Sequence, residues 1–284
     1  MENIMKTIIL FAVLNGFASC QNKKVETKTI NNDKALSHIV DSLSSKKTIS
    51  KDTVDAHLTI DKKNEDKNAQ QTTGGRYEQI VDEKIDVAYR NKTPTILNDL
   101  LKSINTDNKI PKNFKNYWKA YIYYKQSILY KTVNDNDKAS KAIDEALNIL
   151  QENLKTSEDY ALYAACKSFS IQFANMTKLA SISAEAQEYA DKSLEINPKN
   201  VRAYYVLASH NFYTPKMFGG MTKVEQYCIK GIALPMTSSE DYYAPYWGKV
   251  DIYRLLIKFY ETEGREKDAT KIKDLAKKEF PSFF

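Results

Sequence analysis

Apolar and polar positions recur through most of this chain with the period of an amphipathic helix. Tyr77, Ile80, Val81, Ile85 and Ala88 fall on one face, and Ile96, Leu97, Leu100, Leu101 and Ile104 on another, which Thr93-Pro94 opens. After Pro111 a long aromatic helix is expected to carry Tyr117, Trp118, Tyr121, Tyr123, Tyr124 and Tyr130, with residues 135–150 as its partner. Residues 186–208 read as a helix, a stop at Asn197-Pro198, and a second helix: Ala186, Ala190, Ser193 and Leu194 share one face, and Ala203, Tyr204, Leu207 and Ala208 the next. No segment alternates with the period of a β-strand. Residues 76–284 are therefore expected to be all-α, with Gly74-Gly75 as their N-terminal boundary. A helix pair with one apolar stripe cannot bury it alone, so such pairs are expected to stack.

The residues around Pro198 resemble the tetratricopeptide repeat (TPR), a helix-turn-helix unit of about 34 residues with small residues at the helix contacts and a closing Pro. In the unit opening at Val201, Tyr204, Leu207, Ala208 and Asn211 stand at the family's Trp, Leu, Gly and Tyr positions. The last unit opens at Val250 and has Tyr253, Leu256, Tyr260, Gly264, Ala269, Ala276 and Pro281, with Ile257 at a small-residue position. Two earlier units open at Ala120 and Lys167, the second through Phe173, Ala174, Ala186, Ala190 and Pro198. The resemblance implies a TPR-like repeat solenoid, with residues 77–104 as an atypical cap.

The N-terminus has a different character. Lys6 precedes an apolar run over residues 8–14, and Phe17-Ala18-Ser19-Cys20 follows. A run this short is the apolar core of a signal peptide, too short for a spanning helix. The four residues resemble a bacterial lipobox, with Phe17 where that motif has Leu. The resemblance implies cleavage after residue 19, a lipidated Cys20 and a protein held in the bacterial cell envelope, facing the periplasm or cell surface. An ordinary secretory cleavage near Cys20 is the alternative. Residues 21–75 hold ten Lys against eight Asp or Glu and few apolar side chains, the composition of a disordered polyampholyte linker with a reach of roughly 40 Å. The expected organisation is a signal peptide over 1–19, a lipidated N-terminus and linker over 20–75, and the helical domain over 76–284.

In the TPR family the first helix of each unit lines a concave groove. Carried over by position, this implies groove residues Tyr121, Tyr124 and Ile128, then Ile171 and Asn175, then Arg202, Tyr205, Ser209 and Phe212, and finally Arg254 and Lys258. Asn175 and Arg202 resemble parts of the carboxylate clamp of peptide-binding relatives, whose full set is absent. The resemblance implies an adaptor or scaffold that holds a protein or peptide partner, tethered to the membrane by its lipid. Two stretches interrupt the repeats, one around Pro215 and Gly219-Gly220 and one over residues 235–247. Tyr213, Phe218, Tyr242, Tyr246 and Trp247 in them form a candidate aromatic site, whose alternative implication is a receptor for a small ligand or glycan. Packing of these rings in the core is the plainer reading.

Candidate chemistry adds little. The chain has three His, two of them (His38 and His57) in the linker, and no Cys-x-x-Cys, paired-His or glycine-rich phosphate motif. His210, in a repeat helix, is expected to be a packed or surface residue. No catalytic residue, metal ligand or cofactor is expected, and the protein is not expected to be an enzyme. Cys166 and Cys228 are expected as buried thiols. The net charge of +6 is spread over Lys doublets without a focused basic stripe, so nucleic acid is not an expected partner.

Overall fold

A computed structural model describes residues 76–235 and 241–284. The signal segment, Cys20 and the linker lie outside the described residues. Among those described the chain is all-helical: α1 (Tyr77–Arg90), α2 (Ile96–Thr106), α3 (Lys112–Thr132), α4 (Asn136–Gln151), α5 (Ser157–Ser170), α6 (Leu179–Ile196), α7 (Val201–Tyr213), α8 (Val224–Ala233), α9 (Lys249–Thr262) and α10 (Glu266–Glu279). Short 3-10 turns fill Ile171–Phe173, Met176–Lys178 and Lys216–Phe218. No described helix is long and apolar enough to cross a membrane.

Helix starts follow local capping chemistry. The Asp135 carboxylate accepts the Lys138 N–H at the head of α4, and the Asn200 side chain accepts those of Arg202 and Ala203 at the head of α7. Thr156 and Asp159 form a reciprocal capping box that starts α5 at Ser157. This displaces the expected opening of that unit at Lys167, which lies near the end of α5 instead. The Ala-rich run over residues 161–165 has no clear polar face because α5 is enclosed on several sides, and Ala161 through Cys166 are all buried.

Consecutive helices pack as pairs, α3 with α4, α5 with α6, α7 with α8 and α9 with α10, and the first members of the pairs touch in turn. Small side chains permit the close approaches: Ala164, Ala165 and Ala190 pack with Val206 and Leu207 where α5, α6 and α7 meet. Polar groups tie the same joint. The Ser157 and Ser193 hydroxyls each donate to the other residue's carbonyl, at 2.8 and 2.7 Å, and the Asn200 amide donates to Ser157 Oγ at 2.7 Å. Pairing each buried polar group in this way removes the cost of desolvating it.

The N-terminal half is built on Trp118, fully buried and edge-on to Tyr117 and Tyr121 at 5.3 and 5.4 Å between ring centres. Residues 241–248, which join α8 to α9, are far from this cluster in sequence but close it. Tyr243 O accepts the Trp118 indole N–H at 2.9 Å, Tyr242 O accepts the Tyr77 N–H at 3.1 Å, and the Trp247 indole donates to Tyr117 Oη at 2.8 Å. Tyr242, Tyr246 and Trp247 are thus a strap between the two ends of the helical array. Packing is the plainer of the two expectations for these rings, and Tyr242, Tyr246 and Trp247 share no cavity lining with Tyr213 and Phe218. Cys166 and Cys228 are free and buried, and burial pushes both thiols far above their ordinary ionisation range.

Candidate functional site

A cavity of about 1200 Å³ opens where α3, α5, α6 and α7 face one another, closed on one side by the loop after α7. Each helix contributes side chains at helical spacing: Tyr124 and Ile128 from α3, Ala165, Ser168 and Phe169 from α5, Ala180, Ser183, Ala184 and Gln187 from α6, and Tyr205, Ser209, His210 and Tyr213 from α7. Ile171 and Gln172 line it from the turn after α5, and Pro215, Phe218 and Gly219 from the loop. Tyr124 and Phe169 meet edge to face at 5.8 Å on its wall.

The loop wall is held by Asn211. Its amide donates to Gly219 O at 3.1 Å and its carbonyl accepts the Lys223 N–H at 2.8 Å, while its backbone O accepts the Met221 N–H. Gly219 sits at φ +84°. At Gly220 an added Cβ would lie 1.7 Å from Thr214 O, so only glycine fits.

Two features set the polarity of the cavity. Lys223 is the one lining residue that carries a full charge at neutral pH, and it is exposed. Deeper, His210 Nδ1 lies 2.9 Å from Ser168 Oγ and its Nε2 lies 2.9 Å from Ser183 Oγ, so three helices converge on one imidazole. Burial lowers the His210 pKa below the usual imidazole value and keeps the ring neutral. Beside this trio Lys167 and Glu185 pair at 2.7 Å and tie α5 to α6.

Of the residues expected in the groove, Tyr124, Ile128, Ile171, Tyr205 and Ser209 line this cavity, as do Tyr213 and Phe218 from the first interruption. The others lie elsewhere. Tyr121 is buried in the Trp118 cluster, and its hydroxyl donates to Asp82 at 3.3 Å. Asn175 is exposed in the turn before α6, its side chain accepting from the Thr177 hydroxyl. Phe212 packs under Lys258, whose ammonium lies 5.2 Å from the ring and 3.3 Å from Tyr213 Oη. Arg254 stands over the terminal rings of Phe283 and Phe284.

Arg202 is the clearest departure from the expected groove. Only 2% exposed, it forms a two-pronged pair with Glu158 in which Nη2 donates to Oε1 at 2.7 Å, and its Nη1 donates to Trp247 O at 3.1 Å. Its cationic fork is spent inside the fold and is not available to a partner's carboxylate. Ser168, Phe169, Leu179 and Ser183 fall outside the expected groove residues because the second wall comes from α6 and from an α5 that begins ten residues before the expected opening, and His210 lies on α7 beside the expected Ser209.

Among the described residues no group of His, Cys, Asp and Glu is arranged to hold a metal ion. No family model and no curated protein matches the chain. Among solved structures it is similar to a chain described as the HusA haemophore from Porphyromonas gingivalis, with a TM-score of 0.46 and 20% identity, covering 67% of this chain and 96% of that one.

Proposed function

We propose that this protein is an exported, membrane-tethered binding protein whose TPR-like helical stack holds a small, mainly apolar ligand in the groove between α3, α5, α6 and α7. The observation that carries the reading is the composition of that groove. A cavity of about 1200 Å³ is walled by Tyr124, Phe169, Tyr205, Tyr213 and Phe218, and its only fully charged side chain is the exposed Lys223. Ligand sites are typically concave, apolar and aromatic, with a few polar groups placed for orientation. Recognition would come from shape and ring contacts on a preformed surface, without bond making. Lipidation at Cys20 and a linker over 20–75 would display the stack at the envelope surface.

The adaptor function implied by the repeat resemblance is retained in one form. An extended peptide with apolar side chains fits the open groove, because Tyr124, Ile128, Ile171, Tyr205 and Ser209 from the expected set do line it. Capture of an acidic tail loses support, since Arg202 is committed to Glu158.

Titration with N-phenyl-1-naphthylamine, a neutral fluorophore that brightens in apolar surroundings, tests the reading. Ala184 is exposed on the groove wall, so Ala184→Trp would obstruct the groove without removing core packing. The wild type is expected to bind the dye with a dissociation constant in the micromolar range or below, and the variant at least tenfold more weakly. Equal binding by both would refute the groove site.

A further inference from the structure

The groove's polar floor is assembled by three helices around one side chain. Ser168 comes from α5, Ser183 from α6 and His210 from α7, and each lines the cavity. Both ring nitrogens are engaged, at 2.9 Å each. A neutral imidazole has one N–H donor and one lone-pair acceptor. One serine must therefore accept from the ring, which leaves its own O–H free, and the other must donate to the ring, which leaves its oxygen lone pairs free. Exchange of the imidazole tautomer swaps these roles. In either tautomer the floor offers the cavity one hydroxyl donor and one hydroxyl acceptor.

Several other polar side chains of the lining hold the protein's own backbone or neighbouring side chains. Asn211 holds the loop, Thr214 Oγ1 donates to His210 O at 2.8 Å, and Thr222 Oγ1 donates to Gly219 O at 2.7 Å. Gln172 donates to Phe169 O at 3.0 Å and Gln187 to Asp191 at 2.9 Å. Ser168 and Ser183 differ from these in that one imidazole engages both of them and sets their polarity.

We infer that Ser168, His210 and Ser183 act as one recognition unit for a neutral hydroxyl on an otherwise apolar, ring-containing ligand. This rests on the binding function proposed above and narrows its ligand class. A hydroxyl both donates and accepts, so it pairs with either free serine position, accepting from one or donating to the other. A hydrocarbon leaves them unpaired once water is displaced, which costs free energy. An ionised carboxylate would have to be desolvated against an uncharged floor, a larger cost. His210 is a positioning residue here: it fixes the two hydroxyls and sets their opposite polarities.

The test compares pyrene, 1-methoxypyrene and 1-hydroxypyrene by fluorescence titration against the full chain. The wild type is expected to bind 1-hydroxypyrene about tenfold more tightly than pyrene, with 1-methoxypyrene, an acceptor alone, between them. In Ser168→Ala/Ser183→Ala and in His210→Phe, each first shown to melt as a helical protein, the preference is expected to fall to twofold or less while pyrene itself still binds. Equal wild-type affinity for pyrene and 1-hydroxypyrene, or a preference that survives in both variants, overturns the inference and leaves the groove function standing. Failure of the wild type to bind any of the three overturns both.

Discussion

The carboxylate of Glu78, on the first turn of α1, accepts the backbone N–H of Trp247 at 3.1 Å, and also that of Tyr246. Two residues 169 apart in sequence are joined by a buried acceptor, and through Trp247 the joint reaches Arg202 and Tyr117. This strap ties α1 and α3 to α7.

Burial raises the pKa of Glu78 from 4.5 to about 7, with nearby Asp82 adding to the rise, while the two backbone N–H donors and Arg202 oppose it. The folded state therefore binds this proton more tightly than the unfolded state. Between pH 4.5 and pH 7 the native protein holds more protons, so the Glu78 contribution to stability is full at low pH and falls as pH rises through that window. The shift corresponds to about 3 kcal/mol. Urea unfolding of the wild type and of Glu78→Gln from pH 4 to pH 8 is expected to show the variant gaining on the wild type by a value of that order. A constant difference across the range would contradict the assignment.

Arg202 is expected to matter for folding and not for ligand contact. Arg202→Ala removes one partner of a buried ion pair and strips Trp247 O of a donor, a loss of about 3 kcal/mol in urea unfolding. Dye affinity measured well below the variant's melting temperature should stay within twofold of wild type. A tenfold loss of affinity in a fully folded variant would put Arg202 back in the binding surface.

Gly220 links the loop to the groove. In Gly220→Ala the new methyl would collide with Thr214 O, so the loop must shift, at a cost of about 2 kcal/mol. Because Thr214, Pro215, Phe218 and Gly219 line the cavity, dye binding is expected to weaken as well. Gly219→Ala is the control: an added Cβ meets no atom within 4 Å there, and its cost of about 1 kcal/mol comes from the left-handed backbone alone. Unaltered affinity in Gly220→Ala would detach the loop from the site.

Much of the architecture was legible in the sequence because it rests on periodicity. Val81, Ile85 and Ala88 of the first stripe and Leu97, Leu101 and Ile104 of the second are buried as their spacing requires, whereas Ile80, expected on the first stripe, is exposed. The start of α5 was legible too, in the Thr156-x-x-Asp159 capping box, but enclosure of the helix erased the polar face that usually draws attention to it. Part of the cavity lining, such as Tyr124 and Tyr205, stands at the expected first-helix positions. The floor could not be read in this way. His210 meets partners 42 and 27 residues away on two other helices, and no local pattern pairs them. Arg202 looks like a surface cation in sequence, and only the approach of Glu158 and Trp247 shows it to be interior.

A crystal structure of the chain with N-phenyl-1-naphthylamine bound tests the central claim most directly. The account predicts the dye between Tyr124, Phe169, Tyr205 and Phe218, above His210, with the strap of residues 241–248 unchanged. A dye seated against Tyr242 and Tyr246, or at the Arg254 end of the stack with the groove empty, would contradict it.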